Sequence, residues 1–187
     1  MHDDIKKAKE TLLNGGIICY PTDTIWGIGC DATNEEAVEK IYKIKKRDAS
    51  KSMLILVDDL SRAYSYIKEF PEIAYDLFDT ATSPLTIILP GAKNLASNLI
   101  ATDGTIGIRV VNHPWCEKLI KQFKRPIVST SANFSGDSSP AIFDEIDQNL
   151  LDKCDYVAEY EQDKVTKGQG SSIIKLGLGG EIKIIRK

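Results

Sequence analysis

Short runs of β-branched and aliphatic residues alternate along this chain with segments of helical period. That alternation restricts it to a sheet with helices packed against it. The expected strands are residues 17–20, 25–29, 53–57, 85–89, 105–111 and 126–130. Three more are expected near Tyr156, at 172–176 and at 182–185. Between them, residues 3–14 put Ile5, Ala8, Leu12 and Leu13 on one face. Residues 33–36 (TNEE) read as a capping box opening a helix that runs to about Lys45, with Val38, Ile41 and Tyr42 inward. Pro71 opens a helix to about Asp79, residues 113–123 form another with Pro114 in its first turn, and a short one covers roughly 142–150. The expected class is α/β with a mixed sheet.

At 187 residues the chain fits one domain, 1–187, large enough to bury a core without disulfides. The net charge of −3 excludes a global field for polyanions, so any anion site must come from a local cluster. The four cysteines have no CxxC spacing and read as reduced thiols. The N-terminus MHDDIKKAKETLL is no secretory leader, and no stretch approaches the ~20 apolar residues of a membrane span. A cytoplasmic protein away from the membrane is expected.

Residues 21–47 carry the densest chemistry. PTDT at 21–24 is a proline turn with two hydroxyls and a carboxylate, placed after a strand where α/β proteins bind ligands. Lys43, Lys45, Lys46 and Arg47 follow at a helix C-terminus, where positive charge is favoured. Were the chain extended there, Lys45 and Arg47 would point the same way as a clamp for phosphate, with Lys51 adding a third charge. GIGCDA at 27–32 matches GxGxxA, but the helix opens too late for a dinucleotide loop, so close backbone packing is preferred. Further clusters sit at other strand ends. Ser129 to Gly136 form a polar loop without GxSxG; Thr105, Gly107 and Arg109 share a strand face; Gly168 to Ser172 and Arg186 lie near the end. His113 reads as a helix-start residue, and a zinc site from His113 and Cys116 has little support.

The order of these clusters resembles the YrdC family of threonylcarbamoyl-AMP synthases over nearly the whole chain. PTDTIWGIG is similar to the family's P-T-[DE]-T-x-[YW]-G-[LI]. Lys45-Lys46-Arg47 fits K-x-R, Ser131-Ala132-Asn133 fits S-x-N, IGIRVVNHP carries the family's arginine and His-Pro, and SSIIK followed by IIR resembles its closing strands. The resemblance implies a twisted mixed parallel/antiparallel sheet flanked by helices, in the manner of double-stranded-RNA-binding α/β proteins, with a concave positive cavity. It implies that L-threonine, bicarbonate and ATP, with Mg2+, give threonylcarbamoyl-AMP and pyrophosphate. The product would pass to a tRNA threonylcarbamoyl-transferase complex that modifies the adenosine next to the anticodon. By the same resemblance Lys45 and Arg47 are catalytic, and Thr24, Arg109, Ser131 and Ser171 hold threonine. Arg47, Lys51, Thr105, Asn133 and Arg186 hold ATP, and no residue serves as a resident metal ligand. Asp48 after K-x-R, Lys51, ATSPLT at 81–86 and Ala141 depart from the family pattern and bear on the ATP side. The second domain of longer relatives is not expected. The alternatives are a double-stranded-RNA-binding module, with weak RNA binding, or a relative with another carbamoylation substrate.

Overall fold

The computed structural model describes residues 1–46, 53–166, 168–177 and 179–187. In chain order the helices are α1 (His2–Leu13), α2 (Glu35–Lys45), α3 (Leu60–Ala63), α4 (Glu72–Thr80), α5 (Pro114–Phe123) and α6 (Gln148–Leu151). The strands are β1 (Ile18–Tyr20), β2 (Gly27–Gly29), β3 (Leu54–Val57), β4 (Leu85–Leu89), β5 (Ile106–Val110), β6 (Ile127–Ser131), β7 (Tyr156–Val157), β8 (Ser172–Leu176) and β9 (Ile182–Arg186). Among the described residues these nine strands form one sheet in the order β7-β1-β2-β6-β3-β5-β4-β8-β9. The pairs β1/β7, β3/β5 and β4/β8 are parallel and the other five antiparallel, so the sheet is mixed, as the alternation predicts.

The apolar runs explain the strand order. β3 is continuous in aliphatic residues, β5 alternates Ile106, Ile108 and Val110 with Gly107 and Arg109, and both lie mid-sheet and are largely buried. α1 packs on α5, and the Tyr20 ring stacks on Trp115 at 5.9 Å beneath them. A buried carboxylate pins this layer: Asp4 accepts from the Trp115 indole at 2.7 Å and from the backbone N–H groups of Glu159 and Tyr160. At the middle of the sheet β2 lies unusually close to β6. A Cβ on Gly29 would stand 2.0 Å from the Val128 carbonyl, which bears out the packing reading of GxGxxA.

The capping box is displaced by one residue. Asn34, not Thr33, caps α2 by accepting from the Ala37 N–H, because Thr33 is drawn back onto Asp31 by both its hydroxyl and its N–H. α3 is not marked by any pattern in the sequence. Its four residues are too few to show a period, and the Asp59 side chain that caps it reads equally well as a loop acid. The expected helix over 142–150 divides into a 3-10 turn at Phe143–Glu145 and α6, restarted by the cap of Asp147.

Candidate active site

The site begins where β1 turns into β2. Thr22 donates its hydroxyl hydrogen to the Ile25 carbonyl at 2.7 Å and accepts the Thr24 N–H at 3.1 Å. Its only proton is thereby committed, so the 3.0 Å contact between the two hydroxyls is donated by Thr24. Thr24 Oγ in turn accepts from Arg109 Nη1 at 3.1 Å. Arg109 comes from β5, which register places beside Leu56 of β3, and only 4% of its side chain meets solvent. Asp23 of the turn lies 3.2 Å from Arg109 Nη2 and accepts the Asn112 N–H on its other oxygen at 3.2 Å.

The opposite wall comes from the end of the chain. Arg186 on β9 donates through Nε and Nη2 to the Ser171 carbonyl at 2.8 and 2.6 Å, and the Ser171 hydroxyl meets Thr86 Oγ at 2.7 Å. A Cβ on Gly170 would stand 2.6 Å from Arg186 Nη2, so the guanidinium occupies the space that glycine leaves. Burial, and after it the charge of Arg109, lowers the Arg186 guanidinium from its usual value. Thr24, Arg109, Ser131, Ser171 and Arg186 thus line one recess of about 100 Å³. It opens beside a larger cleft of about 610 Å³ that shares Thr24, Ser171 and Arg186 and adds Asp23, Lys164 and Lys187.

Lys45 stands elsewhere in the arrangement. It is the last residue of α2 and Lys46 takes a left-handed conformation, so the extended geometry expected to align Lys45 with Arg47 is not present at Lys45. The residue is only 1% exposed, and its ammonium donates to the carbonyls of Ser131 and, at 2.7 Å, Asn133, with the Ser131 and Asn133 side-chain oxygens at 3.5 and 3.3 Å. The Ser135 N–H returns to the Lys45 carbonyl at 3.2 Å. The S-A-N loop is therefore folded around this ammonium. Lys43 pairs with Glu39 on the exposed helix face.

Other expected residues fall apart from the recess. Thr105 precedes β5 rather than lying in it, and its hydroxyl donates to Asp103 at 2.7 Å. Asp103 also pairs with Lys175, and the hydrogen bonds from Lys175 and then Thr105 hold its carboxyl down at about 2. The Asn133 amide turns into its own loop, donating to the Asp137 carbonyl at 2.7 Å. Arg47 and Lys51 lie outside the described residues. His113 precedes α5, as expected, and its Nε2 lies 3.0 Å from Glu161. Among the described residues no group of three or more His, Cys, Asp or Glu side chains is arranged for a metal ion, and the turn's own carboxylate, Asp23, is paired with Arg109. Thr22, Asp23 and Gly170 lie in the clusters the sequence marks but carry no individual role there, and Thr86 belongs to none of those clusters. A lone carboxylate between two threonines was the one visible signal, and nothing local tells that it meets an arginine 86 positions on.

A family model described as telomere recombination, covering the Sua5, YciO and YrdC proteins, matches residues 10–187. The chain belongs to this family. It is 30% identical to the threonylcarbamoyl-AMP synthase of Pseudoalteromonas translucida over 95% of both chains. Its fold matches the crystal structure of P. abyssi Sua5 complexed with L-threonine, with a TM-score of 0.85 and 29% identity. That match covers 92% of this chain and 50% of the other, so the chain spans about half the length of that protein. It also matches E. coli YciO, with a TM-score of 0.87 and 25% identity, over 100% of this chain and 90% of the other. The Pseudoalteromonas relative is named as an enzyme, and this chain is an enzyme. No helix among the described residues is long and apolar enough to cross a membrane.

Proposed function

We propose that residues 1–187 form a single catalytic domain that makes threonylcarbamoyl-AMP from L-threonine, bicarbonate and ATP, releasing pyrophosphate. The observation that carries this reading is the convergence of Thr24, Arg109, Ser171 and Arg186 on one small polar recess. The recess suits a small amino acid, and a relative of the same fold is described as complexed with L-threonine. The reaction makes the enzyme a nucleotidyltransferase: the amine and bicarbonate combine to a carbamate with loss of water, a carbamate oxygen attacks the α-phosphorus, and pyrophosphate leaves. No covalent enzyme intermediate is required. The task is to hold two anions together, which is positioning and charge neutralisation.

On this reading the carboxylate of threonine lies against Arg109, with the hydroxyls of Thr24, Ser131 and Ser171 around it. Arg186 stands between the amino acid and the nucleotide. Lys45 sets the shape of the loop that presents Ser131 and Asn133, and ATP lies toward that loop and Thr105, with Arg47 and Lys51 on the phosphates. Magnesium arrives as the counter-ion of the nucleotide, held by phosphate oxygens and water. The product then serves a separate tRNA transferase in the cytoplasm. The double-stranded-RNA alternative is not favoured, since the Pseudoalteromonas relative is named a threonylcarbamoyl-AMP synthase and the net charge is −3. Pyrophosphate release from ATP, dependent on both threonine and bicarbonate, is the expected activity. Release unaffected by omitting threonine would remove this reading.

A further inference from the structure

The pair formed by Arg109 and Asp23 is incomplete within the protein. Among the described residues Arg109 Nε is buried and donates to no acceptor, and Asp23 Oδ1 is buried and accepts from no donor. The 3.2 Å contact between Oδ1 and Nη2 brings the charges together without hydrogen-bond alignment. Buried polar atoms without partners are rare, and each calls for a ligand or a water. Here one is a donor on a cation and the other an acceptor on an anion, side by side. An α-amino acid carries the complementary set, an accepting carboxylate and a donating ammonium two bonds apart.

Placement and rigidity agree. Arg109 lines the recess, Asp23 lines the cleft, and Thr24 borders both, so the two side chains stand where recess and cleft adjoin. Asp23 is 7% exposed and is fixed by the Asn112 N–H, while Arg109 is fixed by Thr24. Neither group has to be ordered when a ligand arrives.

We propose that Asp23 binds the ammonium group of the amino-acid substrate while Arg109 binds its carboxylate, so that the pair selects a zwitterion over a simple carboxylic acid. This inference rests on the reading of the recess as an amino-acid site. A competing role is that Asp23 only holds Arg109 in place. The two separate when the ligand lacks an amine, because a pure positioning residue affects both ligands alike.

The test is calorimetric binding of L-threonine and of its des-amino analogue, β-hydroxybutyrate of the same configuration, to the wild type and to Asp23→Asn. The wild type is expected to prefer threonine by about 10- to 100-fold, the range for a hydrogen bond to a charged group. Asp23→Asn should lose most of that preference while binding β-hydroxybutyrate within about 2-fold of wild type. Equal losses for both ligands, or unchanged threonine binding, would overturn the proposal. Should Asp23→Asn fail to fold, judged by its circular dichroism, a wild type that binds the two ligands equally overturns it. A wild type that binds no threonine refutes the amino-acid site itself, whereas a failure confined to the variant leaves that site standing.

Discussion

Among the described residues two buried cations come to this candidate site, Lys45 and Arg109, and the fold treats them oppositely. Lys45 is surrounded by backbone carbonyls, with the Ser131 and Asn133 oxygens closing on its ammonium from a loop 86 positions away. Arg109 meets side chains instead, Thr24 and Asp23, and keeps a buried N–H with no protein partner among the described residues. A lysine ammonium is a point charge that can gather several carbonyls, whereas a guanidinium is a planar fork with donors in fixed directions. The first suits a group that holds a loop together. The second suits a group that holds part of a ligand while the rest is anchored. Within one candidate site, then, the cation with carbonyls around it holds the frame together, and the cation with capacity left is the one proposed for the substrate.

Lys45→Met breaks this contrast most severely. It keeps the stem but removes two hydrogen bonds from a charged group, at about 1.5–3 kcal/mol each; the Asn133 carbonyl loses its lysine donor, while that of Ser131 keeps the Asn133 N–H at 2.9 Å. We expect about 3–5 kcal/mol less stability in urea and a Tm lower by roughly 10 °C. A variant that melts like the wild type yet loses turnover would instead make Lys45 a group that acts on the substrate. Arg109→Lys should do the reverse. It keeps the charge beside Asp23 and loses the fork, so threonine affinity should fall about 100-fold, close to 3 kcal/mol, with Tm changed by only a few degrees. Titration of threonine against the folded variant checks this, and retained affinity would place the carboxylate elsewhere.

Gly170→Ala sharpens the comparison with less force. The new Cβ pushes the end of a flexible arginine, so stability should change by about 1 kcal/mol or less while the KM for threonine or ATP rises several-fold. The smallest effect belongs to the exposed pair of Asp103 and Lys175, where no buried cation is involved. The Asp103 carboxyl is held at about 2 in the folded protein, below its ordinary 3.8. Its contribution is therefore complete above about pH 4 and lost as pH falls toward 2. Being half exposed, the pair should supply under about 1 kcal/mol. The stability difference between wild type and Asp103→Asn should shrink across that window, and a difference independent of pH would deny the linkage.

Much of the fold was legible in the chain. The apolar runs of β3, β4 and β5 and the stripe of α5 mark themselves by period and by β-branched content, and Pro114 and the glycines at 15–16 mark helix ends. The errors were local competitions between polar side chains. Thr33 and Asn34 are equally good caps by type, and the choice fell to Asn34 only because Asp31, itself paired with Arg125, takes both Thr33 donors. The site was legible as a set of residue types at strand ends. Thr24, Arg109, Ser131, Ser171 and Arg186 do line one recess. Thr105 and Asn133 do not line it, because their side chains are taken up by Asp103 and by the loop around Asp137.

By itself the sequence determined most of the elements, the class and the inventory of polar groups, because period, propensity and glycine spacing act over a few residues. Only the tertiary structure decided what each polar group does. Asp23 meets Arg109 because the β1–β2 turn and β5 arrive at the same end of the sheet. Lys45 meets the S-A-N loop because α2 ends where β6 does. Such pairings are set by strand order and register, over separations of more than 80 residues, and no local pattern encodes whether a buried charge will be enclosed by the protein or left with a donor for its ligand.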